Sequence, residues 1–425
     1  MQLIINNIKY TDNSNDVDEN SVFVVSKQNE KFKENAIENG CKKIILASEL
    51  KNHIDLSSIK IIGITGTNGK TTTAAAIYSI LLDLGYKVAL QGTRGFFIND
   101  ERVEDYSLTT PVQLGNFSNI QKAMQNDCDF FVMEVSSHAI EQKRIEGLDF
   151  ELKIHTNITR DHLDYHKTIE EYINIKNSFF ADDSKKLINK DDKVVKYNVK
   201  NGFAYSLDEP STYKVGAYSF KNGMHVMFSH FGAMHSFSST MMGIFNVYNL
   251  MAAVSAVHIV TNRNLDDICE VVEDFAGVSG RMEIISDEPF VIVDFAHTPD
   301  GMKEVLQSFA HKDIICVFGA GGDRDHEKRP LMGQVAASYA KHIIVTSDNP
   351  RFEDPDLIIE DILKGIQNHQ SVIVDVNRKT AIKKAIEMAD KDSVVLVLGK
   401  GDESTQTIYD QKFPFSDKEE ILKYI

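Results

Sequence analysis

Short apolar runs alternate with longer amphipathic segments along much of this chain, and the alternation is most regular after residue 281. The apolar runs there are rich in valine and isoleucine and lie near 290–294, 314–319, 343–347, 371–375 and 394–398. Runs of this length predict buried strands, and strands that alternate with helices predict a doubly wound sheet. Ligands of such sheets bind beyond the carboxyl ends of the strands.

The region before residue 281 has a more mixed pattern. An apolar run over 59–64 leads through a glycine loop into a helical segment that ends at Gly85, which predicts one strand-loop-helix unit. Further strands are predicted at 130–135 and 152–158, and as short alternating segments over 194–239. The first 57 residues carry apolar runs at 3–5, 22–25 and 43–46 around a polar, acidic loop at 11–21.

We therefore predict an α/β protein of three domains, since 425 residues with 42% hydrophobic content can form several cores. Residues 1–57 are a small α/β module. Residues 58–280 are a central mixed sheet with helices and an antiparallel annex. Residues 281–425 are a Rossmann-like doubly wound sheet.

Charge and composition narrow the classes of partner and the compartment. A formal net charge of -16 without any lysine or arginine run argues against nucleic acid or an anionic membrane as the main partner. The N-terminus lacks the features of a signal peptide, and no apolar run approaches the ~20 residues of a membrane span. We expect a cytoplasmic protein with reduced cysteines, because Cys41, Cys128, Cys269 and Cys316 are widely separated.

The glycine loop Gly63-Ile-Thr-Gly-Thr-Asn-Gly-Lys-Thr71 carries the first chemical signal. Gly66 and Gly69 let backbone N–H groups surround phosphate oxygens, Lys70 adds a positive charge, and Thr71 offers a hydroxyl to Mg²⁺. Ile64 stands where the usual GxxxxGK[ST] pattern has its first glycine. A purely structural turn is the alternative, but the strand before the loop and the helix after it favour a P-loop ATPase-like central domain.

For two further residues of the central region, spacing along the chain leaves more than one role possible. Glu134 ends an apolar strand, where a carboxylate either coordinates Mg²⁺ or is simply solvated. Lys176 falls on the apolar face of a helix that begins near Ile169. Spacing favours snorkelling or an ion pair for this lysine. The third possibility is a neutral amine that reacts with CO₂ to form a metal-binding carbamate.

Four polar segments follow strands of the doubly wound sheet: DFAHTPD, GAGGDRD, SDNPR and GKGDE. Arg324 and Arg351 offer forked donors for carboxylates or phosphates, while Asp348 and Glu403 can hold ammonium groups. Surface ion pairs would explain any one of these residues. Four clusters at one sheet edge favour a site for a zwitterionic ligand.

The motifs occur in a fixed order that resembles the Mur ligases of peptidoglycan synthesis. They are GTNGKTTT, EVSSHAIEQKR, TNITRDHLDYH, GIFNVYNLMAA, GRME, DFAHTPD, GGDRD, DNPRFEDP and GKGDE. The resemblance covers nearly the whole chain and is weakest before residue 58. It implies ATP-dependent amide-bond formation through an acyl phosphate, with a UDP-binding N-terminal domain, an ATP-binding central domain and an amino-acid-binding C-terminal domain.

The resemblance also implies roles for individual residues in the ATP and metal sites. The catalytic residues would be Lys70, His162 and Lys176, with Lys176 present as N6-carboxylysine. Two Mg²⁺ ions would be held, one by Thr71 and Glu134 and the other by Glu134, His162 and Lys176. The ATP site would comprise Gly66, Thr67, Asn68, Gly69, Lys70, Thr71, Thr72, Asn246, Asn249, Arg281 and Asp294.

For the substrates, the resemblance implies UDP-N-acetylmuramoyl-L-alanyl-D-glutamate and meso-diaminopimelate, bound by a monomer. The first substrate would contact Thr109, Thr110, Ser136, Gln142, Arg144 and, as a weaker match, Ser14. The amino acid would contact Arg324, Asp348, Asn349, Pro350, Arg351, Gly399 and Glu403. L-lysine, the alternative amino acid, lacks the distal carboxylate and would leave Arg351 without its partner.

The sequence departs from the family at two positions. Asp402 stands where the family often has histidine, and we expect its charge to act on the amino-acid pocket; Ser279 stands where proline is common, and we expect a looser linker. Rival functions are a folylpolyglutamate synthase-like ligase, a P-loop regulatory ATPase without ligation, and a nucleotide kinase. The DNPR and EVSSHAIEQKR segments argue against the first, and the second metal site and zwitterion site would be idle in the others.

Overall fold

The structure is a computed structural model that describes residues 1–99, 101–105, 108–221, 223–367 and 369–425. In these ranges the strands form three sheets that follow one another along the chain, together with one separate hairpin. We call the sheets, with their helices, the N-terminal, central and C-terminal units. Their strands span 2–46, 60–239 and 283–398, so the predicted boundaries at 57/58 and 280/281 fall between sheets.

The N-terminal unit is a four-stranded sheet in the order β1-β2-β3-β4. Its strands and helix are β1 (Gln2–Ile5), β2 (Ile8–Thr11), β3 (Val22–Val25), α1 (Lys33–Glu38) and β4 (Lys43–Leu46), with 3₁₀ turns at Glu30–Phe32 and Ala47–Asn52. The β1-β2 pair is antiparallel and the other pairs are parallel. Strand β2 ends at Thr11, so the polar loop begins later than predicted.

The central unit contains 11 strands in the described ranges, ordered β15-β14-β13-β12-β11-β10-β5-β9-β6-β7-β8. Its first half comprises β5 (Lys60–Thr65), α2 (Lys70–Asp83), β6 (Val88–Gly92), β7 (Gly95–Ile98), β8 (Glu101–Glu104), α3 (Gln113–Gln125), β9 (Phe130–Glu134), α4 (Ser137–Glu141) and β10 (Phe150–His155). Its second half comprises α5 (Leu163–His166), α6 (Ile169–Ser178), β11 (Lys186–Asn189), β12 (Gly202–Ser206), β13 (Tyr213–Ser219), β14 (Met224–His230), β15 (Ala233–Ser239), α7 (Ile244–Thr261) and α8 (Leu265–Val271), with a 3₁₀ turn at Val272–Asp274.

Helix α7 is the core helix of the central unit. It packs against α2, and both helices bury their apolar residues in one cluster with the sheet. Its 18 residues have a mean hydropathy of 1.5, and 72% of them are buried. In the described ranges this is the one helix long and apolar enough to cross a membrane, and its burial accounts for that composition.

The C-terminal unit is a six-stranded sheet in the order β16-β17-β21-β18-β19-β20, parallel except for the edge strand β16. Its elements are β16 (Glu283–Asp287), β17 (Phe290–Asp294), α9 (Pro299–Ser308), β18 (Asp313–Phe318), α10 (Lys328–Tyr339), β19 (His342–Val345), α11 (Pro355–Leu363), β20 (Val372–Val374), α12 (Arg378–Met388), β21 (Ser393–Leu398) and α13 (Asp417–Ile421). Strands β22 (Thr405–Ile408) and β23 (Gln411–Pro414) form the separate hairpin.

The predicted α/β class and the doubly wound C-terminal sheet are confirmed, with all five predicted C-terminal strands close to their predicted bounds. The annex prediction is partly wrong, since residues 194–201 contain no strand. Strands β8, β16, β22 and β23 contain no buried residue, and β6, β7 and β11 are mostly buried but only four or five residues long. The strands that the sequence did not predict are β2, β6, β7, β8, β11, β16, β22 and β23.

Candidate active site

The glycine loop connects β5, at the centre of the sheet, to the N-terminus of α2. Gly69 has a φ of 81° and lies against the Asn249 side chain, so a side chain at this position would be both strained and obstructed. The loop is braced from the segment after β10, because Asn68 N–H donates to Asn157 Oδ1 at 2.9 Å. The N-terminal amides of α2 are therefore presented to an anion, as predicted for a phosphate-binding loop.

Lys70 folds over this loop. Its ammonium donates to the carbonyl oxygens of Gly66 at 2.7 Å and Thr67 at 2.8 Å. Burial lowers the pKa of Lys70, while the charges of Glu134 and Asp161 oppose the shift. A cation that donates to carbonyl oxygens and lies at the N-terminus of α2 is well placed to pair with a polyphosphate.

Glu134 and Thr71 meet at the ends of β9 and α2, as predicted. The Thr71 hydroxyl donates to Glu134 Oε2 at 3.0 Å, and the Glu134 side chain is buried. Thr93, in the turn between β6 and β7, donates to the same carboxylate from its N–H at 2.9 Å and its hydroxyl at 3.2 Å. A buried carboxylate beside a hydroxyl is a suitable ligand pair for a hard cation. Sequence reasoning missed Thr93, because neither strand that flanks its turn was predicted.

Lys176 is on the inner face of α6 and is 1% exposed, so it does not snorkel to solvent. Its ammonium donates to Gly66 O at 2.8 Å and approaches Thr65 Oγ1 at 3.4 Å. In the described part of the chain, no carboxylate forms an ion pair with it. Burial places the pKa of Lys176 well below its usual range, and the neighbouring charge of Lys70 acts in the same direction. Both ordinary explanations of this lysine are therefore wrong.

His162 lies at the start of α5 in a left-handed conformation, with φ 54° and ψ 30°. Its imidazole approaches Asp161 Oδ2 at 3.4 Å and lies edge-on to His138, with ring centroids 4.9 Å apart. Burial lowers the pKa of His162, and burial likewise lowers the pKa of His138 to about 4. Both rings are neutral near pH 7, which is the form that binds metal ions.

The predicted ATP residues Asn246 and Asn249 are adjacent on α7. Asn249 Nδ2 donates to Asn246 Oδ1 at 2.9 Å, and Asn249 Oδ1 accepts from Thr73 at 3.4 Å. This pair therefore lies directly against the glycine loop. Thr72 is also buried, in the first turn of α2.

Arg281 and Asp294 lie at the junction of the central and C-terminal units. The guanidinium of Arg281 stacks over the Phe295 ring at 4.2 Å. Both carboxylate oxygens of Asp294 accept backbone N–H groups, from Met282 at 2.8 Å and Ala296 at 2.7 Å. Burial raises the pKa of Asp294. Asp294 thus fixes the backbone that carries Arg281.

The residues predicted to contact the UDP-sugar peptide form one group beside Glu134. Thr110 Oγ1 accepts from Ser136 N–H at 3.0 Å and donates to the Glu134 carbonyl at 2.9 Å. Arg144 donates to Thr110 O at 2.8 Å and to Gln142 Oε1 at 2.6 Å and 2.9 Å. Thr109 joins the group through Thr93, at 3.1 Å between hydroxyl oxygens.

Two N-terminal residues differ in their relation to this group. Gln28, which sequence reasoning missed, donates to Gln142 Oε1 at 3.2 Å and so connects the N-terminal unit to it. Ser14 is buried, and its carbonyl accepts from Asn39 Nδ2 at 2.8 Å. In the described ranges nothing connects the Ser14 side chain to the group, so its predicted role stays a prediction.

Arg324 and Arg351 converge on Gly321 at the carboxyl edge of the C-terminal sheet. Arg351 donates to Gly322 O at 2.6 Å, and a side chain at Gly321 would meet its guanidinium at 2.9 Å. Burial lowers the pKa of Arg351, and the charge of Arg324 acts in the same direction. An arrangement of like charges of this kind favours a carboxylate between them.

Acidic and amide groups complete this edge, as predicted. Gly399 has a φ of 113° and lies so close to Asp348 that a Cβ would be 2.7 Å from Oδ2. Asn349 Nδ2 donates to Glu403 Oε2 at 2.9 Å. The Thr407 N–H of β22 donates to Asn349 Oδ1 at 2.8 Å, so the hairpin holds the SDNPR segment, of which Pro350 is a part. Guanidinium and carboxylate groups on one edge fit a zwitterion.

Ion pairs join the central and C-terminal units around these sites. Arg160 pairs with Asp325 at 3.3 Å and Glu327 at 2.6 Å. Arg94 pairs with Asp402 at 3.2 Å. Asp402 therefore has a partner in the central unit, and the expected action of its charge on the amino-acid pocket stays a prediction.

Ser279 lies in the turn that links the central and C-terminal units. Ser279 Oγ donates to Glu283 Oε2 at 2.8 Å, and the Gly280 N–H donates to the same oxygen at 2.7 Å. Serine at this position thus adds a hydrogen bond to the turn between the central and C-terminal units. The linker thus has a side-chain contact that proline could not make, and the expected loosening stays a prediction.

This chain matches two known domain families. The Mur ligase middle domain matches residues 64–257, and the Mur ligase glutamate ligase domain matches residues 280–401. The chain is 53% identical over 412 residues to the UDP-N-acetylmuramoyl-L-alanyl-D-glutamate--2,6-diaminopimelate ligase of Wolinella succinogenes, covering 97% of this chain and 95% of that protein. It is 47% identical to the protein of the same name from Helicobacter pylori strain J99, with the same coverage of 97% and 95%.

Solved structures agree with these relatives. A UDP-N-acetylmuramoyl-L-alanyl-D-glutamate--2,6-diaminopimelate ligase superposes with a TM-score of 0.69 at 31% identity, over 98% of this chain and 94% of that one. Folylpolyglutamate synthase from Mycobacterium tuberculosis has a TM-score of 0.69 at 16% identity, over 83% and 91% of the two chains, and therefore shares the fold alone. By domain match and by identity over nearly its whole length, this chain belongs to the Mur ligase family.

Proposed function

We propose that this chain is an ATP-dependent ligase that joins meso-diaminopimelate to the γ-carboxylate of the D-glutamyl residue in UDP-N-acetylmuramoyl-L-alanyl-D-glutamate. The relatives named for this reaction are 47% to 53% identical over nearly the whole chain. The observation that carries the choice of amino acid is that Arg324 and Arg351 lie at Gly321, Asp348 lies at Gly399, and Glu403 is bonded to Asn349, all at one sheet edge. Peptidoglycan synthesis, and through it cell shape and division, is the process that this reaction serves.

ATP and Mg²⁺ fit the residues of the central unit. The amides of the glycine loop and Lys70 would hold the triphosphate. Thr71 Oγ1 and Glu134 Oε2, 3.0 Å apart, are oxygen ligands that suit one Mg²⁺. In the described ranges no group of three or more histidine, cysteine or acidic side chains is arranged to hold a metal ion, so a second ion needs a ligand beyond Glu134 and His162.

Lys176 would supply that ligand as a carbamate. Its neutral Nζ attacks the carbon of CO₂, a C–N bond forms as one C=O π bond opens, and the nitrogen releases a proton to water. The product is an anion, so the modification places a negative charge beside Lys70, on a side chain that has no ion-pair partner in the described ranges. Burial, the shared Gly66 carbonyl and the adjacent positive charge all favour this change.

The reaction brings anions together, and the protein must offset their repulsion. The γ-carboxylate attacks the γ-phosphorus as the bond to ADP breaks, and the amine of the amino acid then displaces phosphate from the acyl phosphate. Bound Mg²⁺ would supply charge neutralisation and orientation of the phosphates. Lys70 adds positive charge at the phosphates, while Thr110 and Arg144 hold the peptide end of the UDP-substrate beside Glu134.

The distal carboxylate of meso-diaminopimelate is the group that distinguishes it from L-lysine. Arg351 is about half buried, so a ligand without that carboxylate would leave a desolvated guanidinium unpaired. A site built for a polar group rejects analogues that lack it by on the order of 10⁴ or more. We propose that the enzyme works as a cytoplasmic monomer, since each predicted site is built from residues of one chain.

A phosphate-release assay tests this function. Purified protein, ATP and Mg²⁺ are combined with UDP-N-acetylmuramoyl-L-alanyl-D-glutamate and either meso-diaminopimelate or L-lysine. We expect rapid release only with both the UDP-substrate and meso-diaminopimelate. Release that needs neither substrate would instead establish a regulatory ATPase, and equal rates with the two amino acids would refute the proposed selectivity.

A further inference from the structure

Lys400 lies in the middle of the amino-acid site, between the two GKGDE residues that the sequence singled out. Its side chain is fully buried, with a relative exposure of 0%. The ammonium donates to Asn349 Oδ1 at 3.1 Å and to Glu403 Oε2 at 2.8 Å. A buried ammonium is costly unless it is paired, and both of its partners are predicted substrate contacts.

The network around Lys400 fixes the orientation of both partners. Asn349 Oδ1 accepts from Lys400 and from the Thr407 N–H, so the amide nitrogen must face the opposite way. That nitrogen donates to Glu403 Oε2, which therefore receives two donors. In the part of the chain that the structure describes, no protein donor reaches Glu403 Oε1. This oxygen is left to accept from a ligand.

We infer that Lys400 is a positioning residue that sets the selectivity of this site, by directing Glu403 Oε1 and the second Asn349 N–H toward the amino acid. The inference rests on the proposed function, and it assigns Lys400 no contact with the reacting atoms. Glu403 Oε1 can accept from an ammonium group of the amino acid. The Asn349 amide, together with Arg351, can donate to one of its carboxylates. Without Lys400, Glu403 loses one of its two donors and is held by Asn349 alone.

A purely structural role would predict a different pattern of kinetic change. Loss of fold or packing lowers the amount of active enzyme and affects all substrates alike. Loss of positioning raises KM for the amino acid, while the ATP site of the central unit stays intact. The two roles are therefore separated by comparing KM values for meso-diaminopimelate and ATP within the same variant.

The experiment measures initial rates of Lys400→Met and Lys400→Gln at saturating UDP-substrate. We expect KM for meso-diaminopimelate to rise about 30-fold in Lys400→Met, the scale of a lost charge-assisted hydrogen bond. Glutamine keeps one donor for Glu403, so we expect a rise of about threefold to tenfold there. KM for ATP should stay within about threefold of wild type in both. Where methionine prevents folding, the glutamine variant carries the same test.

Lys186→Met is the matched control. Lys186 is also fully buried and donates to two backbone carbonyls, at 2.8 Å and 3.0 Å, in the central unit. This variant should lower thermal stability and leave KM for meso-diaminopimelate unchanged. A similar rise in KM in the control would refute the inference, because burial of a lysine would then be the cause.

A double-mutant cycle supplies the decisive comparison. If Lys400 acts through Glu403, adding Lys400→Met to Glu403→Gln should raise KM less than about threefold further. Full additivity of the two effects, or an unchanged KM in folded Lys400→Met, would overturn the inference. Failure of the proposed function would give a different result from failure of this inference. The wild-type enzyme would then show no phosphate release that depends on meso-diaminopimelate.

Discussion

Replacing Arg351 with alanine removes the group that we expect to recognise the distal carboxylate of meso-diaminopimelate. The wild-type guanidinium is about half buried, is fixed by a 2.6 Å hydrogen bond to Gly322 O, and lies beside Arg324. A forked pair with a carboxylate contains two charge-assisted hydrogen bonds, each worth about 1.5–3 kcal/mol. Arg324 remains and offsets part of the loss. We therefore expect a net cost of about 3 kcal/mol, which is about 150-fold in kcat/KM.

The assay measures kcat/KM for meso-diaminopimelate and for L-lysine in wild type and in Arg351→Ala. L-lysine has no distal carboxylate, so its kcat/KM should fall less than about threefold or rise, as the unpaired guanidinium is gone. Arg351→Lys, which keeps the charge but loses the fork, is the matched control and should fall in between. A loss below about fivefold for meso-diaminopimelate, or equal losses for both amino acids, would refute this account of selectivity.

Three further predictions concern the other sites. Lys176→Ala should lose nearly all phosphate release, with partial rescue by a short carboxylate or excess bicarbonate; an unchanged rate would remove the carbamate proposal. Arg329→Met should destabilise the protein by about 3 kcal/mol, because Arg329 is buried and pairs with Glu353 at 2.9 Å. Burial alone would raise the pKa of Glu353, but its hydrogen bond to Arg329 lowers it, and the net shift is downward. The pair therefore stabilises the fold above about pH 4.5, the value in the unfolded chain, and this contribution is lost as pH falls through the lower pKa of the folded state. Acid unfolding followed by circular dichroism should therefore be less steep in the variant. Arg160→Met should raise KM for the amino acid about threefold to tenfold and leave ATP affinity unchanged in a nucleotide-binding titration, since its partner Asp325 is beside Arg324; a larger effect on ATP would contradict this.

The parts of the site that the sequence predicts are those whose chemistry is local. The glycine loop needs only its glycines, Lys70 and Thr71 in order, and Glu134 needs only an apolar strand that ends in a carboxylate. Lys176 shows the limit of periodicity. Its spacing placed it on an inner face, as observed, but only the three-dimensional structure excludes snorkelling and an ion pair in the described ranges.

The remaining site residues depend on contacts between distant segments. Thr93 reaches Glu134 because β6 pairs with β9, and Lys400 is fixed by partners from the SDNPR segment and from its own loop. The contacts of Asp402 and Ser279 were not predicted for the same reason. Their partners, Arg94 and Glu283, are determined by the packing of the units and by the linker turn, which spacing along the chain does not encode.

The ion pairs between the units explain how two separate sites serve one reaction. Arg160 directly precedes Asp161 and His162 of the proposed metal site, and its partner Asp325 directly follows Arg324 of the amino-acid site. The amine reaches the acyl phosphate only when these segments are in contact, and contact also excludes the water that would hydrolyse the intermediate. Exposed or partly exposed pairs each contribute about 0–1 kcal/mol. Contacts this weak hold the units together during chemistry and still permit them to separate, so that ADP, phosphate and the extended peptide can leave.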